Sequence, residues 1–88
     1  MFEFDLAKSA ANLEKHGIDF DEAQALWIDP RCLEFPAESR GEARWALIGG
    51  IGARHRTVIF TRRGDRLRLI SARRARKEEV ALYEEGIH

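Results

Sequence analysis

Between Arg44 and Lys77 the chain carries eleven Lys/Arg against one acid, Asp65, and ten of the eleven are arginine. A guanidinium meets phosphate as a two-pronged fork, which a lysine ammonium cannot copy. Residues 1–42 hold ten acids and four bases, and residues 78–88 hold four Glu and no Lys/Arg, so a net charge of zero conceals a basic middle. Such asymmetry points to an anionic partner. The segment Arg66-Leu67-Arg68-Leu69-Ile70-Ser71-Ala72-Arg73-Arg74-Ala75 concentrates the signal, as an amphipathic strand running into paired arginines. Arg62 lies across a hairpin from it, and Arg44 lies on a candidate neighbouring strand. The plain alternative is a solvated sheet face whose arginines pair with the acidic flanks. Charge of this kind supplies affinity for a phosphate backbone and carries no sequence specificity.

The second candidate site is Asn12-Leu13-Glu14-Lys15-His16-Gly17. Histidine is a residue type suited to proton transfer, which makes His16 a candidate acid or base, with Lys15 as a phosphate contact. The same residues also read as a helix end, with cations against the negative dipole and glycine in the left-handed position. The two readings are compatible. Tyr83 could bind phosphate or transfer a proton, but its place on a Val80/Ile87 stripe reads as packing. His16, His55 and His88 are scattered, and no Cys/His pair has ligand spacing, so no metal site or cofactor is expected. Gly49-Gly50-Ile51-Gly52 matches no phosphate-loop fingerprint and reads as a turn. A nuclease built from this set must work without metal. RNA allows that, because its 2′-hydroxyl can attack the adjacent phosphate once a proton acceptor, a donor and cations are in place.

These residues need a scaffold. Asp5 is a good N-cap for a first helix, on which Leu6, Ala10 and Leu13 share the expected core face. Asp19 caps a second helix, with Phe20, Ala23 and Trp27 in helical spacing, stopped by Asp29-Pro30. The period then drops to two. Cys32–Phe35 is a weak edge strand, Arg44–Ile51 a second and Arg56–Arg62 a third. Arg63-Gly64-Asp65 turns the chain into Arg66–Ser71, where Ile70 breaks the alternation by falling on the arginine side. Arg73 and Arg74 are expected just past the strand end, and a last helix covers about Ala75–Glu85. Phe2 and Phe4 form a short extended lead-in. The expected fold is α+β, with two N-terminal helices, an antiparallel sheet of about four strands and a C-terminal helix. All helices are expected on one face.

At 88 residues this reads as one small domain, 1–88, with a modest core. No apolar run approaches the roughly 20 residues of a membrane span. The acidic start lacks the basic and apolar regions of a signal peptide, and Cys32 has no partner within the chain. The expected compartment is the cytoplasm, with Cys32 as a small core residue.

The chain resembles the BrnT toxins of bacterial type II toxin–antitoxin pairs, which have a RelE-like fold. The resemblance rests on Phe2-Glu3-Phe4-Asp5 with Lys8 and Asn12, on Lys15-His16-Gly17-Ile18 with Phe20 and Glu22-Ala23, and on Asp29-Pro30. It continues through Gly41-Glu42-Ala43-Arg44-Trp45, Ile48-Gly49, Thr61 and Arg63-Gly64, and ends with Leu69–Ala75, Glu79 and Tyr83. What it implies is an endoribonuclease that cleaves cellular RNA and arrests growth. It also implies a BrnA-like ribbon-helix-helix antitoxin that blocks the active surface and binds operator DNA. By position, the resemblance makes Lys15, His16, Arg44, Arg62, Arg73 and Arg74 the candidate catalytic residues. Phe60 stands where the family often has Tyr or His, which removes one possible proton donor. Two other classes remain open on the residues alone. One is a non-catalytic nucleic-acid-binding module, and the other is a protein-binding partner whose basic sheet docks an acidic chain.

Overall fold

The computed structural model describes residues 1–86. Its elements are β1 (Phe2–Glu3), α1 (Leu6–His16), α2 (Phe20–Ala23) continuing as a 3₁₀ turn (Gln24–Ile28), β2 (Leu33–Ala37), β3 (Arg44–Ile51), β4 (Arg54–Arg63), β5 (Arg66–Arg74) and α3 (Lys77–Glu85). The strands form one sheet in the order β1-β5-β4-β3-β2. The α+β class and the antiparallel β2–β5 meander match expectation. A fifth strand was not expected. The Phe2–Glu3 lead-in pairs parallel to β5, setting Phe2 beside Leu67 and Glu3 beside Arg68.

Local signals set the helix ends. The Asp5 carboxylate accepts the Ala7 and Lys8 N–H groups at 2.8 and 3.2 Å, which opens α1. Gly17, at φ +74°, closes it by donating its N–H to Leu13 O. Asp19 caps α2 through the Glu22 N–H at 2.8 Å. The second helix is shorter than its periodicity suggests, because after Ala23 the chain tightens into 3₁₀ geometry.

The sheet separates two apolar layers, since successive strand residues point to opposite faces. Ile18, Phe20, Ala23 and Leu26 pack on one face, against Leu47, Val58, Phe60, Leu69 and Ala72. Trp27 locks that layer edge-on, 4.9 Å from Phe2 and 5.1 Å from Phe60. Gly49 lies under the 3₁₀ turn, where a Cβ would sit 3.0 Å from Leu26 Cδ2. On the other face, Ile48 packs with Ala75 and Tyr83, and Leu33, Phe35 and Val80 join them. The single-face expectation for the helices therefore fails, because α3 covers the opposite side from α1 and α2. Val80 and Tyr83 lie in that layer as the stripe suggested, while Ile87 is outside the described residues.

Two departures decide which side chains meet. The first is α1, which is rotated by roughly a quarter turn from the orientation its apolar pattern suggests. Ser9 and Asn12 are its buried residues, whereas Leu6 is 79% and Leu13 45% exposed. Ser9 Oγ accepts the Phe20 N–H at 2.9 Å. Asn12 donates to Ile18 O and Ala72 O at 2.7 and 2.8 Å and accepts the Ala72 N–H at 3.2 Å. Asn12 thus binds α1, the following loop and β5 together. Buried polar groups so fully paired can take the inward face.

The second departure is in β5. Phe60 opposes Leu69 and Ile59 opposes Ser71, so Ile70 is the extra residue of a β-bulge. The bulge accounts for the broken alternation at Ile70. It keeps Leu69 and Ala72, three apart, on the same core face, and it carries β5 on to Arg74, so Arg73 and Arg74 belong to the strand rather than lying beyond it.

Candidate nucleic-acid interface

The α3 side of the sheet carries an open groove of about 450 Å³, lined by Phe35, Ala46 and Ile59 on its floor and by Arg44, Arg73, Arg76 and Glu79. Arg44 is exposed at the start of β3, two residues before the inward Ala46. Arg73 projects to the same side near the end of β5. Its guanidinium forms a fork on Glu79, with Nη1 donating to Oε1 at 2.8 Å and Nη2 to Oε2 at 3.0 Å. Glu79 is 8% exposed and also accepts the Thr57 hydroxyl at 3.0 Å and the Arg76 N–H at 2.8 Å. Burial alone would push the Glu79 carboxyl up. The Arg73 guanidinium, the Arg76 N–H and the Thr57 hydroxyl outweigh it and hold the pKa at about 2. The same fork raises the Arg73 pKa, burial opposing it. Arg73 is thus a fixed cation, while Arg44 and Arg76 have no ion pair among the described residues.

A second cluster lies at the sheet end where β4 begins and β5 finishes. Arg56 and Arg74 are direct cross-strand partners, so their side chains share the face that α1 covers. Arg56 is buried and donates Nη1 to His16 O at 3.1 Å, which ties the end of α1 to this strand pair. Arg54 borders two small hollows, one with Gly17, Ile18, Glu22 and Arg56, the other with His55, Arg74 and Val80. The His55 ring stands edge-on to Tyr83 at 4.9 Å. Tyr83 donates its hydroxyl to Asp29 Oδ2 at 2.5 Å, and that oxygen also accepts the Gly50 N–H at 2.8 Å. Burial would raise the Asp29 pKa, but the Tyr83 hydroxyl and the Arg31 and Gly50 N–H groups bring it below its usual value. The bond to Asp29, with burial, raises that of Tyr83. Tyr83 is therefore an anchor for α3, in line with the packing role.

The six residues singled out in the sequence do not form one site. Arg44 and Arg73 meet in the groove. His16 and Arg74 are gathered around Arg56 at the sheet end, with Lys15 exposed beside His16 on the last turn of α1. Arg73 and Arg74 point to opposite faces by strand alternation. Arg62 stands apart from both clusters. It opposes Leu67, not an arginine, and lies over the Trp45 ring at 4.7 Å with Nη2 on Glu34 at 2.7 Å. Arg68 and Arg63 are likewise engaged, by Glu3 at 2.9 Å and Glu42 at 3.3 Å. Five side chains were missed as site members. Arg76 and Glu79 had a signal in their own spacing, since a Glu at the third position of a helix reaches back to its cap. Arg54, His55 and Arg56 had none beyond their types.

A family model described as "Ribonuclease toxin, BrnT, of type II toxin-antitoxin system" matches residues 4–79. The chain belongs to the BrnT family. Both arginine clusters fall within the matched span, as do α1 and the whole sheet after β1. No curated protein matches the chain. Membership of the BrnT family carries a ribonuclease description and a type II setting, which implies an antitoxin partner and an RNA target. No described helix is long and apolar enough to cross a membrane.

Proposed function

We propose that this chain is a metal-independent endoribonuclease that cleaves cellular RNA, arrests growth and is neutralised by a BrnA-like ribbon-helix-helix antitoxin. In this reading the antitoxin also carries the complex to operator DNA. The observation that carries the proposal is the groove of Arg44, Arg73 and Arg76, open on one sheet face and held in shape by Glu79. RNA phosphates lie along these guanidiniums on the α3 face of the sheet. Arg73 keeps its orientation because the Glu79 fork fixes it, so charge developing on the phosphoryl oxygens meets a cation that need not reorganise. Glu79 is the groove's buried carboxylate, and four donors already occupy it, which leaves it a poor metal ligand. Among the described residues no group of three His/Cys/Asp/Glu is clustered either. His16 is the proton-transfer group of this reading, Lys15 a phosphate contact beside it, and Arg62 a rim cation.

A non-catalytic RNA-binding role is the second reading. What favours it is that neither His16 nor His55 lines the arginine groove. The deciding experiment incubates the purified chain with labelled RNA, with and without ribosomes and with and without EDTA. The endonuclease reading expects cleavage that survives EDTA and falls about 10²-fold or more in His16→Ala. Arg44→Ala/Arg76→Ala should weaken RNA binding and flatten its salt dependence by roughly one unit of slope per arginine lost. Intact RNA under all conditions overturns the enzyme. Cleavage abolished by EDTA overturns metal independence. Cleavage unchanged in His16→Ala but lost in His55→Ala moves the proton transfer to the other histidine.

A further inference from the structure

We infer that the sheet end under α1 holds a phosphate site separate from the groove, built on Arg56 with Arg54 and Arg74, whose ligand class is a phosphate monoester or free phosphate. The warrant is a buried charge without a counter-ion. Arg56 is 9% exposed and is the one arginine buried among the described residues. The acceptor it reaches is His16 O, a neutral carbonyl, at 3.1 Å. Arg62, Arg63, Arg68 and Arg73 are all more exposed, and each holds a carboxylate. Arg56 has no ion pair among the described residues. The fold thus pairs its outer guanidiniums and leaves the inner one bare. Burying an unpaired cation is costly, which favours an anion brought from outside. A guanidinium carries several N–H donors, and His16 O engages only Nη1.

The surroundings select the ligand. Arg74 is the direct cross-strand partner of Arg56, and Arg54, two residues earlier on β4, lines the same hollow as Arg56. Strand alternation directs Arg54, Arg56 and Arg74 to the face opposite the groove. Glu22 also lines the hollow, is exposed and makes no ion pair among the described residues. Asp19 nearby is already engaged by the Glu22 N–H, and the exposed Glu14 and Lys15 do not line the hollow. Three guanidiniums against the Glu22 carboxylate leave a surplus of two positive charges. A phosphate monoester carries roughly −1.5 to −2 near neutral pH, which matches that surplus better than the single charge of a backbone diester. The planar forks of arginine suit its oxygens. Space agrees with charge. The hollow measures about 200 Å³, below the roughly 300–1,000 Å³ of pockets that enclose a whole small molecule. It takes a compact head group and leaves the rest of the ligand outside. Gly17 forms one wall, where a Cβ would meet nothing within 4 Å, so the approach past it is open. The site stands whether or not the chain cleaves RNA.

The test titrates the full chain with inorganic phosphate, adenosine 5′-monophosphate, adenosine and acetate by calorimetry at low salt. Phosphate and the monophosphate should bind within a few-fold of each other, and adenosine and acetate should not bind. Arg54→Ala/Arg74→Ala, at two exposed positions, should weaken phosphate binding by about tenfold or more, and Glu22→Gln should tighten it. Arg44→Ala/Arg76→Ala in the groove should leave it unchanged. Arg56→Met should abolish it, and if that variant fails to fold, the exposed pair still decides. A short DNA oligonucleotide, which has no 2′-hydroxyl to attack, is then compared with and without a 5′-phosphate. Tighter binding of the phosphorylated form than of inorganic phosphate makes a nucleic-acid end the source of the ligand, and no gain makes it a small free phosphate; either supports the site. No binding of phosphate by the parent chain overturns it, as does affinity unchanged in Arg54→Ala/Arg74→Ala. Loss only in Arg44→Ala/Arg76→Ala overturns it by placing phosphate in the groove, and leaves the RNA reading intact. Acetate bound as tightly as phosphate gives the hollow to a partner's carboxylates and overturns the phosphate ligand. Glu22→Gln that melts at a lower temperature with phosphate affinity unchanged makes Glu22 the counter-ion of Arg56 and overturns the site.

Discussion

Replacing Glu79 with Gln tests the electrostatic design of the groove most sharply. The carboxylate holds Arg73, Thr57 and the Arg76 N–H, and its pKa falls from 4.5 to about 2. That difference corresponds to about 3 kcal/mol favouring the charged form in the folded chain. Its side chain is only 11% exposed, so solvent screens little of it. Gln keeps the shape, loses the charge and leaves Arg73 without its counter-ion. A loss of about 2–3 kcal/mol is expected at pH 7, since Gln still accepts one or two hydrogen bonds. With a urea slope of about 1 kcal/mol per M, the midpoint should drop by about 2–3 M. The pH dependence has a definite sign. Unfolded Glu titrates near 4.5 and folded Glu79 near 2, so its stabilisation is complete above 4.5 and disappears as pH falls toward 2. The gap between parent and variant should therefore close over that window. A gap below about 1 kcal/mol at pH 7, or one as large at pH 2.5 as at pH 7, would refute the claim that Glu79 is a charged anchor for Arg73.

Three further outcomes follow from named contacts. Asn12→Ala strips partners from Ile18 O and from both backbone groups of Ala72, and thermal unfolding should show a loss of about 3 kcal/mol. Tyr83→Phe removes the hydroxyl that binds Asp29 and should cost about 1.5–3 kcal/mol, with hydrogen exchange fastest to rise in α3. Gly49→Ala forces a methyl to within 3.0 Å of Leu26 Cδ2 and 3.2 Å of Leu26 O. Denaturant titration should show a loss of about 1–3 kcal/mol.

Much of the scaffold was legible because its signals are local. The Asp5 and Asp19 caps, the Gly17 stop, the Gly64 turn at φ +61° and the period-two runs of β3–β5 each depend on a few neighbouring residues. The candidate site was legible only as a list of types. Strand alternation split Arg73 from Arg74, and cross-strand register gave Arg62 to Glu34 and Trp45 rather than to the other arginines. Charge counting cannot see such a division, because it ignores the face on which each side chain emerges. The β1 pairing was missed for a related reason. Two residues carry too little pattern to announce a strand, and Phe2–Glu3 becomes one only because the edge of β5 is there to receive it.

By itself the sequence determined the caps of α1 and α2 and the turn between β4 and β5, that the middle of the chain is strongly basic, and which family the ordered motifs resemble. These rest on backbone preference, composition and spacing, all of which act along the chain. Tertiary structure alone decided which side of α1 turns inward, because Asn12 finds its partners at Ala72, sixty residues away. It also decided that Arg73 is fixed by Glu79 and that one bulged residue, Ile70, sets the direction of every β5 side chain after it. A helix with two possible inward faces chooses the one whose polar groups can be paired and leaves Leu6 and Leu13 exposed.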